Sequence, residues 1–121
     1  MKNRVVELLE KGKPIINKEP GNSMTPILTS KEPVILEPIT TLEGIEKGDI
    51  VFAKIRGRYY THLVHGVDKE KGILLGNNHG HVQGWTKKVY AKAHRIPKEW
   101  QETNEKLNQY LNDIFHSESE E

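Results

Sequence analysis

One serine lies in a setting typical of a nucleophile. The hexapeptide Gly21-Asn22-Ser23-Met24-Thr25-Pro26 places Ser23 between a glycine and a proline. Glycine permits backbone conformations closed to other residues and proline stiffens the chain, so such a turn could fix the direction of the hydroxyl. A serine attacks a carbonyl only beside a base, and free backbone N–H groups stabilise the resulting oxyanion. Taken alone, the hexapeptide is more often a polar loop before the first strand.

Histidines are concentrated in the segment 77–85, which has the sequence Asn-Asn-His-Gly-His-Val-Gln-Gly-Trp. On a strand, His79 and His81 would share a face and could bind a metal together with His62. Local spacing supplies no further ligand, and the glycines Gly80 and Gly84 are typical of a turn-rich connection. We therefore predict no metal site and no cofactor.

Basic residues alternate at positions 54, 56 and 58, and Lys87 and Lys88 follow later in the chain. With neighbouring aromatic side chains, such a stripe could contact single-stranded nucleic acid. The aromatic residues in question are Tyr59, Tyr60 and Trp85. More often a stripe of this kind is the solvated face of a sheet edge, where charge opposes aggregation. Nucleic acid is therefore not a predicted partner.

A short helix and a β body must position these residues. Apolar residues at 5, 6, 8 and 9 predict an amphipathic helix that Gly12 and Pro14 end. Residues 14–96 then show the β-branched and aromatic runs of strands, with a turn at Gly57. These runs cover residues 34–36, 49–55, 59–67, 73–75 and 89–93.

Helical spacing returns after Pro97. Trp100, Leu107, Leu111 and Phe115 recur at helical intervals in a polar background. They predict a helix over 97–116 that covers the β body or joins two subunits into a homo-oligomer. Residues 117–121 form an acidic tail. We interpret residues 1–121 as a single domain.

Composition narrows the class of protein. The chain has 121 residues, a net charge of +1 and no cysteine, which excludes disulfides and thiolate metal sites. No apolar run approaches the roughly 20 residues that span a bilayer, and the amino terminus lacks the apolar core of a secretory signal. We expect a soluble cytoplasmic protein without a membrane association.

Several motifs together resemble a known superfamily. Residues 21–26 are similar to the Gly-x-Ser-Met-x-Pro signature of type I signal peptidases and LexA-like self-cleaving repressors. Residues 46–51 resemble the Gly-Asp-x-Val segment of that family, 59–64 its base-bearing strand, and 75–78 its Gly-Asp-Asn box. The order matches over roughly residues 18 to 95. The resemblance implies a mainly β, α+β fold with a barrel-type body between a short and a longer helix.

The resemblance also suggests where a base would lie. The family uses lysine in bacterial signal peptidases and repressors, and histidine in the endoplasmic-reticulum type. The corresponding strand, 59–67, has no lysine but contains His62 and His65. Their odd spacing places them on opposite faces of a strand, so only one can face Ser23. The family's aromatic-x-base-x-Val order favours His62, while an alignment on 63–67 keeps His65 as the alternative.

This sequence also departs from the family pattern. Asn77 replaces the first aspartate of the box, and Val82-Gln83 occupy later acidic positions. An amide can hold a histidine but stabilises an imidazolium less than a carboxylate does. The twenty residues before Gly21 are too few for a helix-turn-helix domain, and the chain lacks Ala-Gly and cysteine-Gly cleavage sites. We therefore expect neither a repressor nor an anchored secretory peptidase.

Two hypotheses follow from the resemblance. In the first, a serine peptidase of weak or degenerate activity uses Ser23 as nucleophile and His62 as base. Gly21, Met24 and Asn77 then contact a peptide or protein substrate that has a small side chain beside the scissile bond. In the second, the protein has the same fold but no catalytic activity. It binds a protein or nucleic-acid partner in the cleft that would hold the substrate of an active peptidase. Such small members suggest a phage or mobile-element origin, an analogy at the level of fold.

Overall fold

The computed structural model describes residues 4–18 and 33–96. Within them, the elements in chain order are α1 (Arg4–Glu10), β1 (Ile15–Lys18), β2 (Pro33–Pro38), β3 (Ile50–Ile55), β4 (Arg58–Asp68), β5 (Gly72–Gly76), β6 (Val82–Thr86) and β7 (Val89–Arg95). The strands form one antiparallel sheet in the order β1-β2-β7-β3-β4-β5-β6. The predicted mainly β fold is confirmed, whereas the predicted terminal helix and acidic tail lie outside the described residues.

Most of the predicted elements coincide with observed ones. The amino-terminal helix ends where expected, because Gly12 has a φ of 79° that favours glycine. Strands β2, β4, β5 and β7 cover the predicted β-rich runs, and β3 covers its run except for Asp49. Two strands, β1 and β6, were not predicted as such. β1 has only four residues, and β6 contains Gly84, so its strand conformation depends on pairing with β5 rather than on propensity.

A two-residue turn joins β3 to β4. Ile55 pairs with Arg58, so Arg56 and Gly57 form the whole connection. Both have positive φ, 52° and 81°, as a type I′ hairpin turn requires. The turn predicted at Gly57 is thus present, but it also places an arginine in a conformation that L-residues disfavour.

Two apolar clusters occupy the two faces of the sheet. The first cluster lies between α1 and the sheet and consists of Val6, Leu9, Val34, Leu36, Phe52 and Ala91. The second cluster consists of Ile45, Val51, Ala53, Ile55, Val64, Ile73 and Leu75. Along β3, Val51, Phe52 and Ala53 alternate between the clusters, as successive strand residues do. We call the face with the first cluster the outer face and that with the second the inner face.

The sheet curls about its inner face. The curl brings β6 back beside β3, where the Thr86 hydroxyl donates a hydrogen bond of 2.6 Å to the carbonyl of Lys54. A Cβ on Gly84 would lie 3.2 Å from Cδ1 of Ile55, an inner-face side chain. The second cluster is therefore enclosed between β3, β4, β5 and β6.

Candidate functional site

The predicted nucleophile lies outside the described residues, as do Gly21 and Met24. The flanking residues are described: Lys18 at the end of β1 pairs with Pro33 at the start of β2. The segment 19–32 therefore begins and ends at one end of this strand pair.

His62 lies on the inner face of β4, opposite Val51 of β3. The residue is only 9% exposed. Its ring centroid is 4.9 Å from that of Tyr60, which packs against the second cluster. The family-like order of Tyr60, His62 and Val64 therefore corresponds to three side chains on one buried face.

Gln83 of β6 holds the His62 ring. Nδ1 of His62 is 2.8 Å from Oε1 of Gln83. An amide oxygen only accepts hydrogen bonds, so Nδ1 donates, and in the neutral ring Nε2 is then the basic nitrogen. The partner is one of the two residues, Val82 and Gln83, at which the family resemblance led us to expect an acidic side chain. From the sequence, Gln83 was noted only as a departure from the pattern of the family that the chain resembles. Nothing else in the sequence indicated that it contacts His62.

His65 has different surroundings. Val64 pairs with Leu75 and Gly66 with Leu74, so His65 is the extra residue of a β-bulge. Its Nε2 donates a 2.9 Å hydrogen bond to the backbone carbonyl of Asn77.

The outer-face position of His65 follows from its contact with Gly76. A Cβ on Gly76 would lie 2.8 Å from two atoms of the His65 ring. Gly76 pairs with Leu63, which packs against the first cluster. The two histidines thus lie on opposite faces, as their odd spacing predicts.

Asn77 organises its own loop. Its Oδ1 accepts hydrogen bonds from the backbone N–H groups of His79 and His81, at 2.8 and 3.0 Å. Its own N–H donates to the carbonyl of His81 at 2.9 Å. Among the described residues, Asn77 makes no hydrogen bond to His62. Its predicted contact with substrate stays a prediction, and the amide that supports His62 is that of Gln83.

Charged pairs extend the inner face beyond His62. A cross-strand row runs from His62 through Val51 and Lys92 to Glu37, and neighbours in such a row share a face. Lys92 Nζ is 3.6 Å from Asp49 Oδ2, and His94 Nε2 is 2.7 Å from Glu37 Oε1. These side chains are partly exposed. The sequence did not reveal this row because its members come from four strands, β2, β3, β4 and β7, whose order in the sheet differs from their order in the chain.

A second polar feature lies where β6 meets the tip of the β3–β4 hairpin. A pocket of about 260 Å³ is lined by, among others, Lys54, Arg56, Gly84, Trp85, Thr86 and Lys88. Of the predicted basic stripe, Lys54, Arg56 and Lys88 line this pocket, whereas Arg58 and Lys87 do not. Of the aromatic residues considered with it, Tyr59 stacks on Phe52 and Tyr60 packs on the second cluster, which leaves Trp85 at the pocket.

Two further findings concern the described residues alone. In residues 4–18 and 33–96, no group of three or more His, Cys, Asp or Glu side chains is placed to hold a metal ion. Within the same ranges, no helix has both the length and the apolarity that crossing a bilayer requires.

Compared with known proteins, the chain matches no protein family, no curated protein and no solved structure.

Proposed function

We propose that this protein is a serine peptidase of low turnover in which Ser23 is the nucleophile and His62 the general base. The observation that supports it most is the His62–Gln83 hydrogen bond on the inner face. It selects the tautomer in which Nε2 can accept a proton, and burial restricts the ring to one orientation. A signal peptidase/LexA-type body remains part of the proposal, because the motif order suggested both this strand and this histidine.

A meeting of Ser23 and His62 depends on the curl of the sheet as well as on the length of the chain. Five residues from Lys18 to Ser23 reach about 18 Å at about 3.6 Å per residue. On a flat sheet, four strand spacings of about 4.8 Å separate β1 from β4, and the row of His62 meets β2 at Glu37, about 13 Å along the strand from the Lys18 partner Pro33. Lys18 and His62 would then be about 23 Å apart, which is beyond this reach. Because the sheet curls about its inner face, the path across that face is shorter.

The proposed reaction is acyl transfer to the serine. The Ser23 oxygen attacks the peptide carbonyl while Nε2 of His62 takes the hydroxyl proton. The same nitrogen then returns the proton to the leaving amine, and water repeats the cycle to release the acyl group. Backbone N–H groups beside Ser23 would hold the oxyanion. Gln83 fixes the ring but supplies no negative charge to stabilise the imidazolium, which is why we propose a slow enzyme.

A peptide-library assay tests this function. The intact protein is incubated with a synthetic library of unstructured peptides, and new termini are identified by mass spectrometry. We expect cleavage after small side chains, abolished in Ser23→Ala and reduced about 10²–10⁴-fold, to below detection for a slow enzyme, in His62→Ala. His65→Ala is the matched control and should retain cleavage. Cleavage that persists in Ser23→Ala would rule out the proposed nucleophile.

The pH dependence adds an independent test. Only neutral His62 acts as a base, so the rate should rise with pH as the imidazolium loses its proton. The losses in Ser23→Ala and His62→Ala should not add in the double variant, since the two side chains act as one unit.

One observation favours the alternative, a binding module. The partner of His62 is an amide, which suffices to position a ring without supporting catalysis. In that case library peptides should bind without being cut, and His62→Ala should weaken binding. Isothermal titration with the peptides that the wild-type protein retains distinguishes the two functions.

We also propose a homo-oligomer formed through the helix that the sequence predicts over 97–116. Each apolar side chain buried there would contribute about 1.5–3 kcal/mol before ordering costs. Leu107→Glu with Leu111→Glu should then lower the solution mass measured by light scattering.

A further inference from the structure

The pocket between β6 and the β3–β4 hairpin combines cations with an exposed indole. Lys54, Arg56 and Lys88 line it together with Trp85, which is 37% exposed. The indole of Trp85 extends from the pocket toward Gly66, where an added Cβ would lie 3.7 Å from the ring, and toward Lys71. Lys54 lies on the outer face, because it alternates with the inner-face residues Ala53 and Ile55. The pocket lining also includes the inner-face residue Ile55, but it contains no member of the row from His62 to Glu37.

The backbone beneath the cations is held by hydrogen bonds. The N–H of Lys54 donates to the carbonyl of Lys88 at 2.8 Å, and the N–H of Lys88 donates to the hydroxyl of Thr86 at 3.1 Å. That hydroxyl in turn donates to the carbonyl of Lys54. Two lysines from distant parts of the chain are therefore held side by side in a closed ring of hydrogen bonds.

Among the residues that the structure describes, no carboxylate pairs with the cations of the pocket. Lys54 Nζ lies 5.2 Å from the centroid of the Tyr59 ring, and Lys71 Nζ lies 5.4 Å from that of Trp85. A cation–π contact places an ammonium without cancelling its charge. Within residues 4–18 and 33–96, none of Lys54, Arg56 and Lys88 forms an ion pair with an acidic side chain.

Arg56 occupies a strained position. Its φ of 52° is one that asparagine or glycine adopts far more readily. An arginine at this position is costly for folding, and backbone strain of this kind is concentrated at functional sites. A requirement for positive charge at the hairpin tip would explain why this position has an arginine.

We propose that this pocket binds single-stranded nucleic acid, with Trp85 as a stacking platform and the three cations on successive phosphates. Exposed aromatic rings beside cationic grooves are the chemistry that recognises unpaired strands. The charge distribution agrees. The whole chain has a net charge of +1, but residues 97–121 contain seven acidic and two basic side chains, so the remainder is strongly basic. The proposal does not depend on Ser23 or His62.

Fluorescence anisotropy of a labelled dodecathymidylate tests the proposal on the intact protein. With three phosphates neutralised, the logarithm of affinity should fall with the logarithm of salt at a slope of about −2, or about 20-fold between 50 and 200 mM. Trp85→Ala should weaken binding about tenfold, since stacking contributes that much per base.

Charge variants provide the matched comparison. Lys54→Ala, Arg56→Asn and Lys88→Ala together should bring the salt slope close to zero. Lys11→Ala, Lys47→Ala and Lys69→Ala remove the same charge from exposed positions outside the pocket, and they should leave most of the binding intact. Arg56→Asn alone should weaken binding without lowering the thermal midpoint, because asparagine tolerates positive φ. Equal losses in the two triple variants would overturn the proposal.

Two competitors exclude other ligands. A dodecaglutamate has a similar charge but no bases, and it should displace the strand poorly. If it competes as well as dodecathymidylate, the pocket binds acidic peptides and our proposal is wrong. Thymidine triphosphate should also compete weakly. Competition at equal nucleotide concentration would identify a free nucleotide as the ligand instead of a strand.

Discussion

The two faces of β4 show how one strand uses the same residue type in two ways. His62, on the inner face, contacts a side chain, the amide of Gln83. His65, on the outer face, contacts the main chain at Asn77. A backbone carbonyl is present whatever the sequence, whereas a side-chain partner can be exchanged by substitution. The inner histidine is therefore the one whose basicity can be tuned, and the outer one holds a loop in place.

The largest expected effect tests this division directly. His62→Ala should lower the rate of peptide cleavage about 10²–10⁴-fold, the usual contribution of a positioned general base. His65→Ala should have a far smaller effect on the rate. The measurement is the rate of product formation on a library-derived peptide. Equal losses in the two variants would break the comparison between the faces.

A methyl group added to Gly76 tests the outer face. It would lie 2.6 Å from the His81 carbonyl and 2.8 Å from the His65 ring, so Gly76→Ala should lower the free energy of unfolding by about 1–3 kcal/mol. The control is Gly66→Ala, whose new methyl would meet its nearest atom at 3.7 Å. Urea denaturation compares the two variants. Similar stabilities would show that the His65–Asn77 contact is not tightly packed.

Replacing Gln83 sharpens the comparison on the inner face. Gln83→Ala leaves a buried histidine nitrogen without this partner and should destabilise the fold by about 1 kcal/mol. Chemical denaturation measures this loss. No substitution can remove the partner of His65 in the same way, because that partner is the backbone carbonyl of Asn77.

Gln83→Glu should have an effect that depends on pH. A carboxylate beside His62 would raise the pKa of the imidazole above its ordinary value of about 6.5. The extra stability should be fully present below the unfolded pKa and lost as pH rises through the folded pKa. The rise of the cleavage rate with pH should therefore occur at higher pH than in the wild type. A pH–rate profile identical to that of the wild type would contradict the proposed role of Gln83.

The smallest expected effect lies at the far end of β4. Backbone N–H groups of Lys71 and Glu70, each 2.9 Å from the Asp68 carboxylate, hold the pKa of Asp68 below its usual value. The stabilisation is present above the unfolded pKa of about 3.9 and is lost as pH falls through the folded pKa. Asp68→Ala should therefore lower the thermal midpoint slightly at pH 7, and the difference should shrink in acid. A constant difference across this range would exclude the carboxylate as its cause.

The sequence alone was sufficient to predict the strands whose side chains are β-branched or aromatic, and the end of α1 at Gly12. These features depend on local preferences and on alternation along a few residues, which the letters display directly. The sequence also determined that His62 and His65 differ in face. It identified Ser23 only through a motif, and the structure describes neither that residue nor its neighbours.

Only the tertiary structure decided which groups meet. β6 is a strand because it pairs with β5. The curl of the sheet places Gln83 beside His62 and Lys88 beside Lys54. These pairs are separated by about 20 to 35 residues, and no local pattern encodes such a contact. Pairing register and sheet curvature are properties of the whole sheet, since each strand takes its conformation partly from its neighbours. The predicted fold class is thus a consequence of the sequence, and the partner of the candidate base is a consequence of the fold.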